Sequence, residues 1–123
     1  MHKAFVRLGI VAAAALAAGA AHAQGTVKIG LVQSFSGQFA DTGAQIENGI
    51  KLYMKQHGDT VAGKKIEIIR KDNGGIAPDV AKRLSQEVIV RDGADILAGF
   101  DLTPNALAAA DVDRKSTRLN SSH

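Results

Sequence analysis

Residues 27–55 read VKIGLVQSFSGQFADTGAQIENGIKLYMK, and this stretch decides the fold of the chain. It begins with a short apolar run, Val27–Gln33, of the kind that forms a buried parallel strand. Small residues are frequent in the loop that follows, at 34–43, and they allow a ligand to approach the backbone. The next segment predicts an amphipathic helix whose core-facing stripe consists of Ile46, Ile50, Tyr53 and Met54.

The same alternation of strand and helix is repeated along the rest of the chain. Three strand–helix pairs in succession predict βαβ units with right-handed crossovers. The expected fold is therefore α/β, a three-layer parallel sheet with flanking helices. The predicted elements are strands at Val27–Gln33, Lys64–Arg70 and Ala94–Phe100, a helix at Asp41–His57 with Asp41 or Thr42 as its N-cap, a helix from Pro78 that is ended by Gly93, and a helix that opens at Pro104.

Residues 1–23 have the organisation of an export signal. Lys3 and Arg7 form a positive start, Leu8–Ala18 is an apolar core, and Ala21–Ala23 fits a small-x-small cleavage site. The apolar core is shorter than the roughly 20 residues that a spanning helix needs, so we favour cleavage before Gln24 over a membrane anchor. The chain has no cysteine, which excludes disulfides, thiol catalysis and a lipidated anchor. We therefore expect a periplasmic protein that is not inserted in the membrane.

The segment Asp113–His123 looks foreign to the rest of the chain. It reads DRKSTRLNSSH, has no apolar period and is expected to break the helix that begins at Pro104. It resembles the in-frame translation of a common short-read sequencing adapter, residue for residue. We therefore interpret residues 24–112 as the native part of an α/β lobe and residues 113–123 as a non-native tail. A disordered basic tail is the alternative.

The basic charge of the chain comes from its two ends. The whole sequence has 15 basic and 12 acidic residues, a net charge of +3, but residues 24–112 contain 10 basic and 11 acidic residues. Basic and aromatic residues do not alternate as a stacking surface for bases would require. We therefore expect no nucleic-acid partner.

Several short motifs, taken in order, resemble one family. They are the loop Ser36-Gly37-x-x-Ala40-x-x-Gly43, Gly49 with Ile50-Lys51-Leu52, Lys71-Asp72 before Pro78 and Ala81, and Ile96–Gly99 before a Thr-bearing turn and Ala106. Together they resemble the amino-terminal lobe of a type I periplasmic binding protein of the branched-chain amino acid and amide group. The resemblance implies a two-lobe protein that closes on a small solute and delivers it to the permease of an ATP-driven importer.

The resemblance also implies a ligand site at the ends of the first and third strands. It places Asp101, Leu102 and Thr103 in the cleft, with the Thr103 hydroxyl at the carboxylate of the ligand and Thr42 at a position that is aromatic in the leucine/isoleucine/valine-binding relative. Asp101 stands where that relative has an apolar residue, and Pro104 removes one N–H donor. Amino acids, amides, aromatic acids and other small polar solutes therefore stay open as ligands. Ser34 and Ser36 are further candidate contacts from the first loop.

Each candidate also has an ordinary structural interpretation. Thr103 and Asp101 could cap a helix, the two serines could satisfy nearby N–H groups, and Asp72 is favoured as a turn former. His57 has no second metal-ligating residue at suitable spacing, so neither a metal nor another cofactor is expected. No Ser-His-Asp set or nucleotide loop is present, which argues against an enzyme. The alternatives to a transport protein are a sensor domain with the same fold and, less favoured, an exported flavodoxin-like enzyme.

The boundary at residue 112 can be tested directly. Long-read sequencing of the genomic locus across codon 112 should show a reading frame that continues into further strands and a second lobe. A genome that encodes Asp113–His123 and then a stop codon would contradict the adapter interpretation and would exclude a two-lobe clamp for this chain.

Overall fold

The computed structural model describes residues 25–120. The predicted export signal and its cleavage site lie outside the described residues, as do the last three residues of the tail. No helix within residues 25–120 has the length and apolar character that crossing a membrane requires. The elements are β1 (Thr26–Gln33), a 3₁₀ turn (Gly37–Phe39), α1 (Ala40–His57), β2 (Thr60–Val61), β3 (Lys64–Asp72), α2 (Pro78–Val90), β4 (Ile96–Gly99) and α3 (Thr103–Asn120).

The sheet has the order β2-β3-β1-β4, with β1 at its centre. Strand β1 pairs in parallel with β3, from Thr26 opposite Lys65 to Gln33 opposite Asp72, and in parallel with β4, from Ile29 opposite Ile96. Strand β2 adds a short antiparallel pairing to the start of β3. The parallel α/β architecture predicted from the alternation of strands and helices is confirmed.

Helix α2 covers one face of the sheet, and α3 packs against α2. Val32 of β1 packs against Leu84 and Val88 of α2, and all three are buried. Gly30 lies directly beneath α2, because a Cβ atom at this position would approach the Val88 side chain to 2.8 Å. The apolar stripe of α2 that contains Leu84 and Val88 therefore faces the core. Around it pack Ile69, Val80, Ile89, Ala94, Leu97 and Phe100.

An ion-pair cluster holds β3 against the end of α2. The Lys71 Nζ atom lies 2.8 Å from Glu87 Oε1 and 2.7 Å from Asp92 Oδ2. Hydrogen bonds to Asp92 and Glu87 raise the pKa of Lys71 above its ordinary value. The hydrogen bond from Lys71 is likewise the main cause that lowers the pKa of both carboxyl groups. This cluster fixes the helix-covered end of β3 and leaves the opposite face of the strand to α1.

Helix α1 lies over the other face and leaves an apolar groove. The groove has a volume of about 550 Å³ and separates Ile46, Ile50 and Met54 of α1 from isoleucines of β1 and β3. Tyr53, which was predicted to be in the core, is 62% exposed and stacks on His57 with ring centroids 4.3 Å apart. That core assignment was wrong, because the helix period places Tyr53 on the correct side but does not measure the gap to the sheet.

Helix α1 also begins differently from the prediction. Asp41 and Thr42 lie inside its first turn. Phe39, the last residue of the 3₁₀ turn, stands at the N-cap and makes no side-chain capping hydrogen bond. The predicted N-caps were therefore wrong. The 3₁₀ turn brings the chain directly into the helix, so a capping side chain does not set its start. Gly58, in contrast, ends the helix with φ +84°, a conformation that glycine favours.

Helix α3 continues past the predicted break. It runs from Thr103 to Asn120, whereas the sequence pattern predicted a break at Asp113. Residues 113–120 contain neither glycine nor proline, and Arg114 pairs with Asp111 one turn earlier at 2.7 Å. Since nothing in this segment opposes helical geometry, a lack of apolar period does not end the helix.

Two glycines of α1 make a matched pair for a stability measurement. A Cβ atom on Gly43 would lie 1.8 Å from the Ser34 carbonyl oxygen, whereas one on Gly49 would meet nothing within 4 Å. Gly43→Ala should therefore lower the free energy of unfolding by about 2 kcal/mol or more, and Gly49→Ala should raise it by about 0.5–1 kcal/mol. Urea denaturation of both variants measures these changes, and equal effects of the two substitutions would contradict the close contact.

Candidate functional site

Three loops meet at the end of the sheet where β1, β3 and β4 finish. They are residues 34–39 after β1, residues 73–77 after β3 and residues 100–105 after β4. In open parallel sheets, ligands bind outside the carboxyl ends of the strands, which is this edge. We refer to the three loops together as the mouth of the lobe.

Ser34 joins all three loops. Its N–H donates to Asp101 Oδ1 at 3.2 Å, and its hydroxyl donates to Asn73 Oδ1 at 3.0 Å. The side chain is fully buried. The Ser34 hydroxyl is therefore engaged within the lobe, in agreement with the ordinary interpretation of this residue as a loop hydroxyl.

Asp72 organises the first two loops with its carboxylate. Its Oδ1 atom accepts the N–H groups of Phe35 and Gly74, each at 2.9 Å. Burial acts to raise the pKa of Asp72, but hydrogen bonds from the Ser36 hydroxyl and from backbone N–H groups outweigh it and hold the pKa below its ordinary value. The role predicted for Asp72 as a turn former agrees with these contacts.

The start of α3 offers few donors to an anion. Thr103 is exposed and is the first residue of the helix, so it is not the N-cap. Pro104 has no N–H, and the N–H groups of Asn105 and Ala106 both donate to the Leu102 carbonyl oxygen, at 3.0 and 3.2 Å. Among the described residues, the hydroxyl and N–H of Thr103 are thus among the donors that this turn leaves for a ligand.

Asp101 is brought over β1 by a turn of unusual backbone conformation. Gly99 and Phe100 have φ values of +98° and +56°, and the Phe100 N–H donates to the Val32 carbonyl oxygen at 2.7 Å. A positive φ at a phenylalanine is uncommon and costs energy, and such residues are frequent at functional sites. This turn places the Asp101 carboxylate where it accepts the Ser34 N–H. Neither the interpretation of Asp101 as a cleft residue nor its interpretation as a helix cap predicted this hydrogen bond.

The remaining predicted site residues lie at the same end of the lobe. Ser36 is exposed in the first loop, and its hydroxyl bonds to Asp72. Thr42 is exposed in the first turn of α1, next to Gly43, and Leu102 is half-buried ahead of α3. The structure therefore places five of the six candidates in the loops of the mouth and Thr42 on the first turn of α1 that follows them, with Ser34 buried and Ser36, Thr42 and Thr103 exposed.

Three buried amide side chains were missed by the sequence analysis. Gln33 donates from Nε2 to the Gly43 carbonyl oxygen at 2.8 Å, Asn73 accepts from Ser34, and Asn105 bonds to the loop at 73–77. The sequence could have indicated a buried role for Asn105, because this residue falls on the same helical stripe as the buried residues Ala109 and Val112. Gln33 ends β1 and Asn73 directly follows β3, and a polar residue at such positions is unremarkable in sequence.

Some polar atoms at the mouth are buried without a partner. Within residues 25–120, those in the loops of the mouth are Asn73 Nδ2 and Asp101 Oδ2, and Gln33 Oε1 at the end of β1 is a further such atom next to the mouth. Buried polar atoms usually have a hydrogen-bond partner, so each exception requires an explanation. The same part of the chain contains no group of three or more His, Cys, Asp or Glu residues that could hold a metal ion. The mouth therefore contains hydrogen-bonding atoms that have no partner within the described residues.

A model of one protein family covers almost all of the described chain. Residues 26–119 match the family described as periplasmic binding protein. The chain belongs to this family. The predicted family resemblance is confirmed, and the sheet with its flanking helices is the start of a periplasmic-binding-protein lobe.

Individual relatives of this binding-protein chain are considerably longer than it is. Leu/Ile/Val-binding protein homolog 6 of Brucella abortus is 38% identical over 107 residues, which cover 87% of this chain and 27% of the relative. A solute-binding protein of an ABC transporter from Rhodopseudomonas palustris BisB5, solved in complex with 3,4-dihydroxybenzoic acid, is 57% identical with a TM-score of 0.68, over 71% of this chain and 24% of that one. Another from R. palustris, in complex with 4-hydroxybenzoate, is 33% identical with a TM-score of 0.71, over 73% and 24%. The chain thus spans about a quarter of the length of these relatives.

The lowered pKa of Asp72 predicts how the binding-protein lobe responds to acid. Because the carboxylate is favoured in the folded state, its contribution to stability is present above the ordinary carboxyl pKa and is lost as the pH falls through the lower, folded value. Asp72→Asn should therefore destabilise the protein at neutral pH, and the difference from wild type should shrink toward about pH 3. Urea midpoints measured across this range test the prediction, with Glu67→Gln on the same strand as the control. A difference that is independent of pH would contradict it.

Proposed function

We propose that this chain is the amino-terminal part of a periplasmic solute-binding protein that serves an ABC importer. The observation that carries the proposal is the polar mouth at the carboxyl ends of three parallel strands, in a chain that belongs to the periplasmic-binding-protein family. The solute would be held between this lobe and a second one, and closure of the two would create the surface that the membrane permease recognises. Binding and transfer of the solute, without covalent chemistry, is the mechanism.

For the solute we favour a small aromatic carboxylate. The 57% identical relative was solved with 3,4-dihydroxybenzoic acid and the 33% identical one with 4-hydroxybenzoate. The 38% identical relative is named a Leu/Ile/Val-binding protein homolog, and this supports a branched-chain amino acid as the second candidate. Both classes carry a carboxylate, so the anion contact is common to them, and they differ in whether an aromatic ring or an ammonium group accompanies it.

Thr103 is the residue that we assign to the carboxylate of the solute. It is exposed at the mouth, its hydroxyl can donate, and it stands at the positive end of the α3 dipole. Ser36 and Thr42 flank the same opening on the first loop and the first turn of α1. Asp101 and Leu102 would lie beneath the solute, with Asp101 favouring a ligand that presents a hydroxyl or ammonium donor.

The ligand class is tested by isothermal titration calorimetry of the full-length protein. We expect saturable binding of 3,4-dihydroxybenzoate or 4-hydroxybenzoate, and weaker binding or none of leucine and isoleucine. Tight binding of leucine together with no response to the benzoates would favour the second candidate. Stoichiometric binding without turnover separates a binding protein from an exported enzyme.

The role of Thr103 is tested in the same assay. Thr103→Ala should weaken binding by about 1–3 kcal/mol, because an oxygen of the ligand loses its donor. Thr60→Ala is the matched control, since Thr60 lies on β2, which pairs with the start of β3 at the opposite end of the sheet. An affinity of Thr103→Ala equal to that of wild type would remove Thr103 from the site.

A further inference from the structure

Asn105 is a fully buried amide on a helix face that is otherwise apolar. Its side chain is 0% exposed, although it shares the inward face of α3 with Ala109 and Val112. An apolar residue at this position would avoid the desolvation of an amide group. The hydrogen-bond partners of the amide explain why a polar side chain occurs here. They lie in a loop that is distant in sequence from α3.

Both ends of the Asn105 amide bond to the backbone of the loop at 73–77. The Ala77 N–H donates to Asn105 Oδ1 at 3.0 Å, and Asn105 Nδ2 donates to the Gly75 carbonyl oxygen at 2.7 Å. The amide oxygen accepts in one bond and the amide nitrogen donates in the other, so the two bonds together fix the orientation of the amide. The first turn of α3 is thereby held to the loop that follows β3.

The same loop is bonded in turn to the loop after β1. Asn73 accepts the Ser34 hydroxyl with its Oδ1 atom, and that atom also accepts the Gly75 N–H at 3.3 Å. The two loops also touch directly, since a Cβ atom on Gly37 would lie 2.9 Å from the Gly74 carbonyl oxygen. A continuous path of contacts therefore runs from Asn105 through residues 73–75 to Ser34.

We propose that Asn105 is a positioning residue for the ligand mouth. It ties the turn that carries Thr103 to the loop at 73–77 and, through that loop, to residues 34–39, so that the three loops keep one arrangement. This inference rests on the proposed function, because the arrangement matters for a solute only if the mouth is the ligand site. Asn105 itself does not contact the solute.

The experiment compares two substitutions of buried polar side chains that differ in what they hold. Asn105→Ala removes the bonds between loops. Ser85→Ala, the control, removes an equally buried hydroxyl that bonds to Ala81 within its own helix, at 2.8 Å. Asn105→Leu also removes both bonds between the loops but keeps a side chain of similar size and shape, so it provides a second variant if truncation prevents folding.

Amide hydrogen exchange of the full-length protein without ligand is the first readout. Asn105→Ala should accelerate exchange of the Ala77 amide and, in addition, of the Ser34 and Phe35 amides by about tenfold, whereas Ser85→Ala should leave these three unchanged. Faster exchange at Ala77 alone, with Ser34 and Phe35 as in wild type, would overturn the proposal whether or not the protein binds a benzoate.

Affinity for 4-hydroxybenzoate is the second readout, measured well below the melting temperature of every variant. Where the wild type binds, Asn105→Ala should raise Kd about tenfold, and Ser85→Ala should lower the melting temperature with Kd within about twofold of wild type. An Asn105→Ala protein with lowered melting temperature and unchanged Kd would show a purely structural residue and would overturn the inference. A wild type that binds none of the tested acids refutes the proposed ligand class, and the exchange measurement then decides the role of Asn105 by itself.

Discussion

The position of Ser34 at the end of the central strand is the constraint on which the rest of the mouth depends. Strand β1 is paired on both sides, so its last residues cannot move without breaking the register with β3 or β4. Ser34 is then held from one side by Asp101 and from the other by Asn73. Its carbonyl oxygen lies so close to Gly43 that α1 must begin where it does and must carry a glycine there. The end of the sheet, the loops that contain Asn73 and Asp101, and the start of α1 are therefore all positioned by contacts with Ser34.

This explains why the glycine at 43 has a different role from the one that the sequence suggested. In the sequence, Gly43 belonged to a Gly- and Ser-rich loop through which a ligand could approach the backbone. In the structure it is buried inside α1, and the group that approaches it is the backbone of the lobe itself. A glycine in the sequence indicates that another group can come close to the backbone at that position, but it does not identify this group.

The elements that the sequence predicted well are those with one strongly buried face. The apolar run of β1 and the stripe of α2 through Leu84 and Val88 both follow the period of their element, and both are in the core. The core prediction for Tyr53 was wrong, because an apolar helix stripe indicates the direction of a side chain and not its distance from the sheet. The two-residue strand β2 is too short to show a period, and α3 runs past Asp113 because helical geometry needs only the absence of a breaker.

The sequence indicated where the candidate residues lie, but not which contacts they make. The family resemblance placed Ser34 and Asp101 at the ends of the first and third predicted strands, and in the structure these two residues lie together. The hydrogen bonds of Ser34 to Asn73 and Asp101 join residues that are 39 and 67 positions apart in the sequence. The position of Asp101 also depends on the positive φ values of Gly99 and Phe100, which no local sequence pattern predicted. Asn105 could have been found, because an amide on an apolar helix stripe requires a buried partner.

The charges of the mouth constrain how it could hold an anion. Asp72 and Asp101 both lie at this edge, and the hydrogen bonds to Asp72 keep its carboxyl group ionised. Lys71 is engaged by Glu87 and Asp92 on the α2 face, and Arg70 is stacked over the Phe35 ring at 3.9 Å while it also faces Glu47. Recognition of a carboxylate by these residues would therefore rely on neutral donors such as the Thr103 hydroxyl and N–H, whose dipoles attract an anion without an ion pair. The two carboxylates would then act mainly on orientation, since they oppose the acid group of a ligand and favour its hydroxyl or ammonium end.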